Sequence, residues 1–348
     1  MFLNAKIETM PDHPKLLLSI AFTLLCGFSL ASCSSHNSLR KFDDGDISKE
    51  MSADLAKKFE VKDVDANTAS VTVAPSATPT PKPKKTHSKK LKMKPSEPLP
   101  ELVSTPAPNV PPLRRIDPLP FSVGEKLEYG IRYVGVTAGF LNLEVLPFKD
   151  LNNRKVFHFQ GKIRTVKLFE LVYRVNDTVE SFWDYDGLFS YKFTMDLDES
   201  KQNRKLIELY DYDKKQSFYW NRVDHVEKGF SEKKENFEIP LWAQDPVSIL
   251  YYFRTTNLPA DPTIETRIPL ILDGKPWEGV VKYEKTTQIY AGGKDREARL
   301  FKFDNYQNGE LKNRDNHIWI STDEHHYVLR VEAKVKVGSF AVALDKIL

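Results

Sequence analysis

Phe189-Ser190-Tyr191-Lys192-Phe193-Thr194-Met195-Asp196-Leu197-Asp198 places large apolar side chains at the odd positions and small, polar or charged ones at the even positions. Only an extended backbone sends successive side chains to opposite faces, so this stretch reads as a strand with one face buried. Strands of this one-sided kind pair antiparallel, because parallel sheets are covered on both faces. The same alternation recurs on either side. Leu127, Tyr129, Ile131 and Tyr133 oppose Lys126, Glu128 and Arg132, while Tyr327, Leu329, Val331, Ala333, Val335 and Val337 oppose Arg330, Glu332, Lys334 and Lys336.

Further strand-like runs cover 140–146, 155–165, 173–183, 204–212, 217–223, 267–272, 280–290, 299–306, 316–321 and 340–344, which brings the expected number to roughly a dozen. Turn-forming pairs punctuate them: Asn152-Asn153, Asp186-Gly187, Asp273-Gly274, Gly292-Gly293 and Asn308-Gly309. Residues 121–348 are therefore expected to fold as one mainly all-β domain, a large antiparallel curved sheet or barrel-like body. One short helix should cover it. Asp245 suits an N-cap, Pro246 the first helical position and Ser248 the first turn, and Ile249, Tyr252 and Phe253 recur at helical spacing toward Thr256.

The N-terminal third has another texture. All 14 tyrosines and all five tryptophans lie at or beyond Tyr129, whereas 13 of the 22 prolines fall between Pro75 and Pro120. Residues 34–120 lack sustained apolar periodicity and read as a disordered Pro/Lys-rich tether, with a transient helix around Asp54–Phe59. Seven lysines and no acid occupy Lys82–Lys94, a tract suited to acidic cell-wall polymers or, more simply, to a self-repelling spacer. A nucleic-acid partner is not expected.

Upstream, Leu16–Leu30 is uncharged and apolar, and has the length of a signal-peptide core rather than of a membrane span. Leu30-Ala31-Ser32-Cys33 resembles a bacterial lipobox, which implies cleavage before Cys33, acylation of its thiol with palmitate-type chains, and a membrane partner through that anchor. Residues 1–33 are expected to be this signal, with translation starting at Met1 or Met10. Ser34, which is not an acidic retention signal, points to the outer membrane, facing the periplasm. Cys26 and Cys33 are the only cysteines, so disulfides and cysteine-based chemistry are excluded downstream.

In the β domain, Gly124-Glu125-Lys126-Leu127-Glu128-Tyr129, Gln244-Asp245-Pro246-Val247-Ser248-Ile249-Leu250-Tyr251-Tyr252-Phe253-Arg254, Ile318-Trp319-Ile320-Ser321 and Val337-Gly338-Ser339 together resemble domain of unknown function 3108. The resemblance implies an exported bacterial β-rich protein and no catalytic residues. His325-His326 departs from it, where an Arg and a Pro are more usual.

The chemistry of the β domain is sparse. Ser248 with His158, His225, His317, His325 or His326 would be the raw material of a hydrolase, yet there is no nucleophile elbow, and a serine in a first helical turn ordinarily caps. His325 and His326 are adjacent and would point apart in a strand, so a turn is expected rather than a metal site. The carboxylates Asp196, Asp198, Glu199, Asp211 and Asp213 read as solvated. No cofactor, catalytic residue or metal ligand is expected. Tyr251, Tyr252 and Arg254 are the candidate ligand-binding residues, lining the mouth of an apolar cavity; the structural alternative for Arg254 is a contact with the helix dipole and a nearby acid. The functional expectation is a non-catalytic envelope lipoprotein binding a hydrophobic or amphipathic ligand. A cell-wall- or protein-binding scaffold is the alternative, and a hydrolase the third.

Overall fold

The computed structural model describes residues 39–42, 51–64, 118–334 and 339–348. Cys33 and Lys82–Lys94 lie outside the described residues. The first elements are α1 (Ala53–Lys58) and β1 (Val61–Asp63). Then follow β2 (Lys126–Tyr133), β3 (Val136–Leu151), β4 (Arg154–Thr165), α2 (Lys167–Glu170), β5 (Asn176–Asp184), β6 (Ser190–Asp198), β7 (Gln202–Asp211), β8 (Gln216–His225) and β9 (Gly229–Glu238). After α3 (Ser248–Thr255) come β10 (Glu265–Leu272), β11 (Lys275–Ala291), β12 (Lys294–Gln307), β13 (Glu310–Ser321), β14 (Val328–Lys334) and β15 (Ser339–Ile347).

These strands form one antiparallel sheet in the order β10-β11-β12-β13-β14-β15-β2-β3-β4-β5-β6-β7-β8-β9, with β1 added to β3. Two meanders are thus joined where β15 pairs with β2. The two edge strands, β9 and β10, are consecutive in sequence, and residues 239–264 connect them. The expected covering helix, α3, lies in that connection.

The sheet does not close by strand pairing, but side chains draw its ends together. The β10–β11 turn, Asp273-Gly274, reaches β7 and β8, where Asp273 accepts hydrogen bonds from Arg204 (2.5 Å) and Tyr219 (2.9 Å). Gly274 has φ +73°, and a Cβ there would stand 2.7 Å from the Phe237 and Tyr219 rings, so the close approach requires glycine.

The face that packs on α3 is the inner face. Its main core includes Phe157, Phe159, Trp183, Phe193, Leu206 and Tyr210 against Ile249, Tyr251, Tyr252 and Phe253. A separate core occupies the outer face of β4–β8, where Val156, Phe182, Phe189, Tyr191, Ile207, Leu209 and Trp220 pack with Phe59. β7 explains why both faces are covered, because Lys205–Asp211 is buried without a break.

Three expectations change. Residues 51–63 are not a transiently helical piece of tether: α1 is capped by Ser52, β1 pairs Val61 with Leu151, and Phe59 is 3% exposed. Lys58 bridges Asp211 and Asp213 at 2.7 Å each. Residues 51–64 therefore pack as part of the β domain, which does not begin only at residue 121. The physical reason is apolar burial by a few residues, Met51, Leu55, Phe59 and Val61, too few to register as periodicity.

In β6 the pairing with β5 shifts between Phe182–Lys192 and Trp183–Ser190. This bulge at Tyr191 turns Phe189 and Tyr191 to the outer core and Ser190 inward, where period two alone puts Phe189 and Tyr191 beside Phe193. Finally, β9 pairs with β8 over ten residues although it has no apolar alternation.

Phe59→Ala should release the docked segment while leaving the domain folded, since the segment contributes one three-residue strand at the sheet's margin. Limited trypsin digestion should then cut at Lys57, Lys58 and Lys62 many times faster than in the wild type. An unchanged rate would show that Phe59 does not hold the segment.

Candidate functional site

Helix α3 is set by the residues before it. Asp245 Oδ1 accepts the backbone N–H groups of Val247 and Ser248, both at 2.8 Å, and Oδ2 accepts the Ser181 hydroxyl of β5 at 2.5 Å. The helix begins two residues later than expected, at Ser248 with Val247 as its N-cap, so Asp245 and Pro246 form the turn before it rather than the cap and the first helical position. Burial pushes the Asp245 carboxyl above its ordinary value, and the hydrogen bonds from Ser181, Ser190 and the backbone pull against that. Gln244 extends the network. Its Oε1 accepts from Trp183 Nε1 (2.8 Å) and from the Ser248 hydroxyl (3.0 Å), and its Nε2 donates to Leu188 and Trp242 carbonyls. Its backbone bridges to Leu270 of the edge strand β10. The Gln244-Asp245-Pro246-x-Ser248 block thus stitches the connection to β5, β6 and β10.

Ser248 is fully buried, and its hydroxyl meets Ser190 (2.8 Å), Gln244 and the Asp245 backbone. None of its hydrogen-bond partners is a histidine. His325 and His326 lie in the turn before β14, where His326 Nδ1 meets the Arg254 carbonyl at 2.9 Å.

Arg254 does not line a cavity mouth. It is 2% exposed, and its guanidinium donates to both carboxylate oxygens of Glu125 (2.6 and 2.9 Å), to the Pro120 carbonyl (2.9 Å) and to the His325 carbonyl (3.1 Å). The acid that an external ligand would supply comes from the chain itself. Tyr251 stacks on Phe159 with ring centroids 3.7 Å apart, and its buried hydroxyl makes no hydrogen bond to the protein. Tyr252 is buried in the same core. The three candidates are brought together, as packing residues of the helix.

Within the sheet, the space beside α3 amounts to about 30 Å³, bounded by Ile249, Phe253, Ile268, Val281 and Phe303. That is about the volume of one water molecule in the liquid and far below the several hundred Å³ of ordinary ligand sites. The roomier space lies outside. A groove of about 590 Å³ runs between the α1 segment and the outer face of β5–β7. Phe59, Phe182, Ile207 and Leu209 form its apolar part, and Lys192, Lys205, Glu180 and Asp196 its charged part. His158, 3.3 Å from Glu180, holds that carboxyl below its ordinary value, against the effect of burial. A second groove of about 280 Å³, beside Lys41 and Phe42, shares Thr178 and Asp196 with the first. Together they offer an apolar floor with cationic and anionic flanks, which suits an amphipathic molecule better than a purely hydrocarbon one.

The alternation reading missed this groove, because it assigns one face of each strand to solvent. The unbroken burial along β7 is the local sign of it, legible as the run Leu206-Ile207-Glu208-Leu209-Tyr210. It also missed buried acids. Glu199, expected to be solvated, is 1% exposed and accepts the Tyr173 hydroxyl at 2.6 Å; Asp211, 4% exposed, meets Lys58. Burial and the nearby Glu199 charge push Asp177 up to about 8. Among the described residues, no three or more His, Cys, Asp or Glu side chains group as a metal site.

One antiparallel, barrel-like sheet with an internal helix connecting its two edges defines the class of fold. The chain belongs to the family described as Protein of unknown function (DUF3108), whose model matches residues 128–345. Among solved structures it is similar to a beta-barrel-like protein of domain of unknown function DUF1849 from Brucella abortus, at 11% identity and TM-score 0.38, over 65% of this chain and 97% of that one. It is also similar to a protein with a YmcC-like fold from Bacteroides fragilis, described as exported (8% identity, TM-score 0.29, 66% of this chain and 98% of that one). A third, described as a lipoprotein from Parabacteroides distasonis, matches at 7% identity and TM-score 0.29, over 65% and 96%. None of the curated proteins matches the chain.

Proposed function

We propose that this protein is a non-catalytic, lipid-anchored component of the bacterial cell envelope, facing the periplasm from the outer membrane, that holds an amphipathic molecule on the outer face of β5–β7. The observation that carries the ligand reading is the contrast between the groove of about 590 Å³ under α1 and the filled interior beside α3. The address rests on the apolar run Leu16–Leu30 and on Cys33 with Ser34 after it. Acyl chains on Cys33 contribute about 0.8 kcal/mol per buried methylene, and more than one chain makes the anchor stable.

Native mass spectrometry of the full chain from envelope extract should show a bound amphiphile. Thr194→Trp, placed on the groove wall, should abolish it without unfolding the sheet. Wild-type protein free of adducts, or an adduct unaffected by Thr194→Trp, would overturn this reading.

The scaffold alternative has one observation in its favour, the open edge of β9. Glu232, Lys233, Lys234 and Glu235 along that edge oppose unselective strand addition. A crosslinked partner mapped to β9, with the groove empty, would favour the scaffold.

A further inference from the structure

The strand ends divide into two rims. One rim carries the β2–β3 turn, the β4–β5 connection with α2, and the β6–β7 and β8–β9 turns; the other carries the β3–β4, β5–β6 and β7–β8 turns. On the first rim, Leu171 is 88% and Leu168 is 75% exposed, Val172, Val134 and Val136 are exposed as well, and so is Phe230 further along, at the β8–β9 turn. The α2 connection adjoins the start of β3, where the Val166 N–H donates to the Ala138 carbonyl at 3.0 Å. Leu168, Leu171 and Val172 therefore lie next to Val134 and Val136. Lys167, Lys201 and Lys228 lie on this rim too, interleaved with Glu170 and Glu227.

The N-terminal chain arrives at this same rim. Arg40 donates its backbone N–H to Asp224 near the end of β8, accepts from Asn203 near the start of β7, and lays its guanidinium 5.0 Å from the Phe230 ring centre. At the opposite rim, Lys58 of the docked α1 segment meets Asp211 and Asp213, and Val61 meets Leu151. Six residue steps separate Cys33 from Leu39, a span of at most about 20 Å even when fully extended.

We infer that the rim bearing Leu168, Leu171, Val172, Val134, Val136 and Phe230 rests on the surface of the bilayer that anchors Cys33, with its apolar side chains in the headgroup region. This rests on the lipid anchor of the proposed function. Exposed apolar residues in loops flanked by lysines are what an anionic lipid surface accepts, and the short link leaves the domain no room to stand away from it.

The test uses the full, acylated chain in vesicles of phosphatidylethanolamine and phosphatidylglycerol. Leu171→Cys on one rim and Tyr290→Cys on the other, both at exposed positions, are each labelled with an environment-sensitive fluorophore. Quenching by spin labels carried on the lipids should be several-fold greater at 171 than at 290. Equal quenching at both positions, in protein that floats with the vesicles, overturns the orientation while leaving the anchor intact. Protein that fails to float, and whose Cys33→Ser variant behaves identically, overturns the anchor reading instead. Leu168→Glu with Leu171→Glu supplies an independent arm: in anchored protein it should remove the difference measured at a label on Val172→Cys, and an unchanged signal there counts against the rim.

Discussion

Arg254→Met should destabilise the domain by about 3–5 kcal/mol, the typical cost of leaving one member of a buried ion pair without its partner. Glu125, on the chain segment entering β2, would then be left without its bidentate donor, and the Pro120 and His325 carbonyls would lose theirs too. Glu125→Leu alone should cost a similar amount by stranding the guanidinium. The double variant should recover much of the loss, because two apolar side chains need no mutual satisfaction. Urea unfolding of the four species closes this double-mutant cycle. Additive losses would show that the pair is not the unit that secures α3.

Glu208→Gln should stabilise the protein at pH 8 by a few kcal/mol and change it little at pH 5. Glu208 is fully buried in β7, accepts the Tyr210 hydroxyl at 2.9 Å, and burial pushes its carboxyl up to about 8 from 4.5. The fold therefore favours the protonated form. Below about pH 4.5 both folded and unfolded chains carry the proton. As pH rises from there to about 8, the unfolded chain releases its proton first, and stability falls by about 1.4 kcal/mol per unit of pKa difference. Asp177, also pushed up to about 8, adds a loss of the same sign in the same window. Thermal melts between pH 5 and 8 should thus slope downward in the wild type and less steeply in Glu208→Gln. An equal gain at both pH values would contradict a protonated buried Glu208.

Most strands were legible because alternation is a local property. Leu127, Tyr129 and Ile131 are buried in β2, and Asp273, Asn308 and the glycine after each take the left-handed conformations that two-residue hairpin turns require. α3 was legible for the same reason, since Asp245, Pro246 and Ser248 act within one turn of its start. Legibility ended where an element depends on a distant partner. β9 has charges on both faces and exists because β8 offers a ladder for it to join. One bulge at Tyr191 reverses which residues of β6 face α3. Arg254 admits either a nearby acid or a ligand contact, and only the structure supplies the acid as Glu125, 129 residues earlier.

The sequence by itself determined the antiparallel β architecture, the position of its helix and the family to which it belongs, because spacing and turn chemistry are written in neighbouring residues. Only the tertiary structure decided that the space beside α3 is small, that Phe59 brings part of the N-terminal region onto the outer face, and that a groove of about 590 Å³ lies beneath it. Those features arise from contacts between residues far apart in the chain, such as Phe159 with Tyr251 and Lys58 with Asp211, where burial of a few side chains outweighs local polarity.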